Sequence, residues 1–149
     1  MCSTMNAPRP RLAVALGIGI FTAGIAHFIN PGFFDEIVPP WLPPARRFWT
    51  LASGVAELAV GFMLFVPRWR RNGAIALAAL LVAVYPANLY MTWDWRNRSA
   101  SDQAVSWIRL PLQFLLIGLA HRASGPWRWR RNEPPARSEE HRPFHSALD

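Results

Sequence analysis

Apolar and polar positions in this chain are segregated into long blocks instead of alternating. Four mostly apolar runs cover about 12–29, 48–66, 73–91 and 104–120, each long enough as a helix to cross a hydrocarbon core of about 30 Å. Arg109, Pro111 and Gln113 interrupt the fourth run, which is the least uniform. A water-soluble domain spreads its charges along amphipathic elements, and that pattern is absent. The predicted fold is therefore all-α: an integral membrane four-helix bundle over residues 12–121. Residues 1–11 lead into it, and Arg9 and Arg11 there resemble the basic region of a signal peptide. The run that follows is too long for a signal core and more runs come after it, so it reads as a retained span.

The connections differ in kind. Residues 67–72, PRWRRN, make a tight turn between the second and third spans. Residues 30–44, NPGFFDEIVPPWLPP, hold too many prolines for a regular helix and too many apolar side chains for a free loop. They read as an interfacial Pro-rich loop capping the outer mouth of the bundle. Residues 122–149, rich in Arg, Pro and Glu, read as a disordered cytoplasmic tail.

Charge adds the orientation. All 16 basic residues are arginine, and the formal net charge is +7. Eleven arginines lie in the N-terminus, the second connection and the tail, against four in the other two connections, which places both termini in the cytoplasm. Tryptophans fall at span boundaries and none at mid-span, as in an aromatic belt. Arginines that flank apolar runs face headgroups, so the basic character indicates the lipid bilayer as partner and no nucleic acid. The implied location is a plasma membrane, multi-pass and bacterial. Cys2 is the sole cysteine, which excludes an intrachain disulfide, a C-x-x-C pair and thiolate metal sites.

Close packing in lipid is expected from small residues: Ala13, Gly17 and Gly24 on the first span, Ser53, Glu57 and Gly61 on the second, and Ala79, Ala83 and Ala87 on the third. Candidate chemistry gathers in the outer half. Glu57 lies near mid-membrane, where a charge costs roughly 2.5–3.5 kcal/mol and needs a partner or a proton. Arg109 is the expected partner, and the two form the candidate catalytic pair. His27, Tyr85, Asn88 and Gln113 are candidate ligand-binding residues at similar depth, His27 lying close to the headgroups. Pro86 and Pro111 free the carbonyls of Val82 and Trp107 in the same half. The convergence predicts a small polar cavity beneath the cap. A structural reading stands beside it: an ion pair fixing helix register, with Asn88 and Gln113 as interhelical glue. One intramembrane histidine and one glutamate are too few for a metal site, so none is expected.

In order and spacing, GIAHFINPGFFDEIVPPWLP, SGVAELAVGFMLFVPRWRR, YPANLYM and RLPLQFLLIGLA resemble the DoxX-like family of small four-helix bacterial membrane proteins, over residues 17–121. That family takes its name from a subunit of an archaeal thiosulfate:quinone oxidoreductase, and relatives are associated with oxidative-stress complexes. The resemblance implies a quinone-linked membrane redox subunit with an oxidoreductase partner protein. Its ligand would be a quinone or other small amphipathic molecule, with nothing covalently bound. In that reading Glu57 exchanges the proton and Arg109 stabilises a developing oxyanion, while His27, Asn88 and Gln113 orient carbonyl oxygens. The other reading is a non-catalytic membrane scaffold or small-molecule carrier.

Overall fold

The computed structural model describes residues 10–124, and among these residues there is no strand. Four helices are long and apolar enough to cross a membrane: α1 (Pro10–Ile29), α3 (Arg46–Phe65), α4 (Arg70–Asp94) and α5 (Ala100–Ser124). A short helix, α2 (Pro31–Asp35), follows α1, and a 3-10 turn (Trp95–Asn97) extends α4. Each long helix begins or ends up to four residues outside its apolar run. The arginines, tryptophans and serines at those margins stay helical, because backbone hydrogen bonding does not stop where hydropathy does. Residues 1–9 and, beyond 124, the tail expected to be disordered lie outside the described residues; residues 10–11 belong to α1, and 122–124 continue α5.

Prolines set the breaks. Pro31 opens α2 at a position where its missing N–H costs nothing, so the chain turns directly after α1. Val66 is extended because Pro67 follows it, and this ends α3. The side chain of Arg70 then donates to the carbonyls of Leu64 and Phe65, satisfying the open end of α3. Ser99 starts α5: its hydroxyl accepts from the Asp102 N–H at 3.3 Å and donates to the Asp102 carboxylate at 2.8 Å, a local cap of the capping-box type.

The helices pack antiparallel in the ring order α1, α3, α4, α5. The α1–α3 and α4–α5 seams are extensive, and α1–α5 is the thinnest. Two glycine pairs bring α1 and α3 together. A Cβ on Gly61 would lie 2.8 Å from Phe21 Cβ and 3.1 Å from the Gly17 carbonyl, and one on Gly24 would lie 3.0 Å from the Gly54 carbonyl. On α4 the buried line is Gly73, Ala74, Leu77 and Leu81. Ala79 and Ala83, expected at a helix contact, face outward. One apolar core, with Ala13, Leu16, Val60, Leu64, Leu77 and Ala120, fills the half nearer the α3–α4 turn. A second, Ile37, Met91 and Trp95, lies under the α2 end.

Burial is inverted relative to a water-soluble domain. On α5, Gln113 is 3% exposed and Ser106 1%, whereas Ile108 is 62% and Phe114 60% exposed. Polar groups are inside and large apolar ones outside. Several buried polar groups of α4 and α5 are bonded inside the bundle: Asn88 donates to Gln113 at 2.8 Å, Gln113 donates to the Leu81 carbonyl, and Thr92 donates to the carbonyls of Asn88 and Ser106.

The segment between α1 and α3 is a fastened cap. Asp35 accepts hydrogen bonds from Thr50 at 2.7 Å and Arg47 at 2.9 Å on α3, while Glu36 pairs with Arg98 at 2.7 Å beyond α4. Ile37 and Val38 are buried beneath it. Partial burial opposes ionisation of Asp35. The hydrogen bonds from Thr50 and Arg47 and the charges of Arg47 and Arg46 outweigh that and hold its carboxyl below the usual carboxylate range. A depressed folded pKa gives stability that is present above the ordinary carboxylate range, about 4, and is lost as pH falls through the folded value. Hydrogen exchange of residues 31–45 should therefore stay slow at neutral pH and accelerate only at the acid end. Asp35→Asn should raise it several-fold already at pH 7. Equal protection in the variant would show that the cap does not depend on this contact.

Candidate functional site

Between the two apolar cores lies a polar layer built by α1, α3 and α5. The close Gly24–Gly54 crossing sets it up, because a Cβ on Gly54 would meet His27 Cβ at 2.8 Å. Side chains on a helix lean toward its N-terminus, so the His27 ring points back one turn along α1. There its Nδ1–H donates to the Ala23 carbonyl at 2.9 Å, and the same nitrogen lies 3.2 Å from Glu57 Oε2. The partner of Glu57 is thus His27, not Arg109 as depth alone suggested. The His27 side chain is 9% exposed and that of Glu57 13%, so both are buried within the bundle. Phe34 of the cap stacks on the imidazole with centroids 3.7 Å apart. Phe33 packs edge-on against Trp95.

Arg109 comes from α5 and leans toward the cap, where its Nη1 donates to the Met91 sulfur at 3.5 Å. It acts through space on both Glu57 and His27 without an ion pair to either. A thioether is a weak acceptor, so most of the five guanidinium donors carry no protein hydrogen bond. Among the described residues, two buried side-chain polar atoms have no hydrogen-bond partner: Glu57 Oε2 and Trp95 Nε1. The Nδ1–Oε2 approach has ion-pair distance, but the hydrogen of Nδ1 is spent on Ala23. Unpaired buried polar atoms are rare in folded proteins and mark strain or a site of action.

The remaining candidates divide. Asn88 donates to Gln113, and Gln113 donates to the Leu81 carbonyl, joining α4 to α5. Gln113 thus satisfies the carbonyl of Leu81 in the turn before Pro86, next to the Val82 carbonyl that the proline leaves without its N–H donor. Tyr85 packs edge-on against Phe114, with centroids 5.4 Å apart. The structure brings His27, Glu57 and Arg109 together, and places Asn88, Gln113 and Tyr85 in the α4–α5 interface. Sequence reading missed Phe34, Met91 and Trp95 as neighbours of the site. The apolar FF pair two residues past Pro31 was the available signal for Phe34.

What this group can do chemically follows from its parts. A carboxylate 3.2 Å from an imidazole makes a pair that can hold one proton beyond the Nδ1–H. A nearby guanidinium with free donors binds a planar oxygen-bearing group in two-point fashion.

Comparison with protein families matches residues 16–124 to the model of the Domain of unknown function (DUF8561). No curated protein and no solved structure matches the chain.

Proposed function

The chain belongs to the DUF8561 family, and from its own geometry we propose that it is a multi-pass membrane protein binding a small amphipathic ligand at Glu57, His27 and Arg109. Its four long helices lie in a plasma membrane of a bacterial cell, with both termini cytoplasmic and the 30–45 segment capping the outer face. The large apolar side chains turned outward then meet acyl chains, and the polar layer meets the ligand.

One observation supports the ligand site above the others. A purely structural ion pair closes on itself, because burying two charges is offset only by good mutual hydrogen bonds. Here Glu57 Oε2 has no hydrogen bond, and Arg109 spends its only one on a sulfur. Glu57 and Arg109 face one site without an ion pair between them, which suits a third party. The resemblance to DoxX-like proteins makes that party a quinone and the protein a redox-associated subunit working with an oxidoreductase partner. Glu57 then takes or gives the proton, and Arg109 holds a ligand oxygen. A small-molecule carrier uses the same three residues, and the membrane-facing apolar surface favours it equally. Asn88, Gln113 and Tyr85 act in helix packing in either reading.

The test is solvent extraction and mass spectrometry of quinones that co-purify with the protein in mild detergent. A near-stoichiometric quinone that is lost in Glu57→Gln supports the redox reading. A well-folded preparation with no enriched quinone overturns it and leaves the carrier.

A further inference from the structure

Charge and access together say more about the ligand's head group. The groups facing the site are His27 from α1, Glu57 from α3 and Arg109 from α5. The cap contributes neutral Phe34, with Asp35 turned away to Thr50 and Arg47, and α4 contributes neutral Met91. Arg109 is always charged. Nδ1 of His27 carries a proton in any state, since its 2.9 Å partner is a carbonyl oxygen. Glu57 and His27 therefore sum to zero with one further proton on the pair, and to one negative charge without it. With that proton the whole group carries one positive charge.

We infer that this site takes an amphiphile with a single carboxylate head group, held by Arg109, together with one proton on the Glu57–His27 pair, its apolar tail lying along the α1–α5 seam. This rests on the reading of Glu57, His27 and Arg109 as a ligand site, and not on the ligand being a quinone. In a low-dielectric layer a net charge is expensive, so the occupied site is neutral. A monoanion completes neutrality when the proton is present, whereas a phosphate monoester brings too much charge. The planar guanidinium fork matches a carboxylate at two points. Proton accounting closes as well. The membrane-soluble neutral acid loses its O–H proton to the Glu57–His27 pair, and the carboxylate left behind pairs with Arg109.

The seam supplies the place for the tail. The cap is stacked on His27 and tied to α3 and Arg98, which closes the end of the bundle. Contact between α1 and α5 is the thinnest in the ring. The core that joins them draws on Ala13, Leu16, Ala120 and Ala123, all in the half away from the site. Beside Arg109, α5 exposes Val105, Ile108 and Leu112, an apolar wall next to a polar head site.

The experiment is calorimetric titration of the full-length protein in neutral detergent with dodecanoate, using dodecanol and decylubiquinone as comparison probes. Running it in two buffers of different ionisation heat reads the proton. Dodecanoate should bind with uptake of about one proton above the acid's own pKa, its affinity falling about tenfold per pH unit once the pair loses that proton. Glu57→Gln should abolish both the uptake and the pH dependence of dodecanoate binding, because the group is then permanently positive. Arg109→Gln should weaken dodecanoate at least about tenfold and leave dodecanol unchanged. Dodecanol binding as tightly as dodecanoate, or binding without proton uptake, overturns the inference. Decylubiquinone binding that is lost in Glu57→Gln, with no dodecanoate binding, overturns it and upholds the quinone reading. Dodecanoate binding without quinone binding does the reverse. Neither ligand binding overturns both.

Discussion

Replacing Gly61 with leucine is expected to destabilise the bundle by about 3 kcal/mol or more, while the same replacement at Gly19 changes nothing measurable. A Cβ at Gly61 would lie 2.8 Å from Phe21 Cβ and 3.1 Å from both the Phe21 Cα and the Gly17 carbonyl. Backbone is in the way, so no rotamer of a flexible neighbour relieves the clash. At Gly19 nothing lies within 4 Å of the added carbon. Overpacking typically costs about 1–3 kcal/mol, and a contact that pushes two helix backbones apart lies at or above the top of that range. Against a total stability of about 5–15 kcal/mol the loss is large. Thermal unfolding in detergent, followed by circular dichroism, should show a midpoint lowered by several degrees for Gly61→Leu and a wild-type one for Gly19→Leu. A wild-type melt for Gly61→Leu would mean that the close approach does not hold α1 to α3.

The same crossing shows how far the sequence could be read. Four long apolar runs give four long helices because length and composition suffice to mark them. Which way each helix faces is harder. Gly17, Gly24 and Gly61 stand out as contact residues, but the partner of Gly24 is Gly54, one heptad from Gly61, and not the Ser53–Glu57–Gly61 row. On α4 both the Ala79–Ala83 stripe and the Ala74–Leu77–Leu81 stripe are apolar. A helix that is apolar all round has no hydrophobic period to choose between them. Helix ends were legible at Pro31 and Pro67, where chemistry forbids continuation. They were also legible at Ser99–Asp102, a capping pattern that starts α5 four residues before its apolar run.

The candidate site was legible as a set of residues and not as a set of pairs. Depth places Glu57, Arg109, His27, Asn88 and Gln113 in one layer, and reach along the axis makes Arg109 look adjacent to Glu57. Side-chain lean decides otherwise. His27 enters at the cap end of α1, and its lean carries the ring toward Ala23 and Glu57. Arg109 leans the other way along α5, to Met91. Direction of lean depends on which end of a helix faces the cap, which topology supplies. The helix–helix distance that then brings His27 within 3.2 Å depends on Gly24 and Gly54.

Breaking the Glu57–His27 pair from one side should be the costliest change within the site, and removing both partners should restore stability. His27→Leu leaves the Glu57 carboxylate, 13% exposed, without its one polar side-chain neighbour. Leaving a buried carboxylate without a polar contact costs about 3 kcal/mol, Arg109 compensating its charge only through space. Glu57→Leu is milder, because His27 keeps its Ala23 hydrogen bond and can stay neutral; about 1–2 kcal/mol is expected. The double variant replaces both with apolar groups of similar volume and should unfold within about 1 kcal/mol of wild type. The coupling between the two positions is therefore large and of opposite sign to additivity. Chemical denaturation of the four proteins in one detergent measures it. The decisive readout is binding in the double variant. If the pair exists to hold a ligand's proton, the double variant is as stable as wild type but takes up no proton with dodecanoate and retains no quinone. A double variant that is stable and keeps unaltered proton-linked binding would place the chemistry elsewhere in the bundle. A double variant as unstable as His27→Leu would show that the pair holds α1 against α3 by its charges, a role the glycine crossing alone is expected to fill.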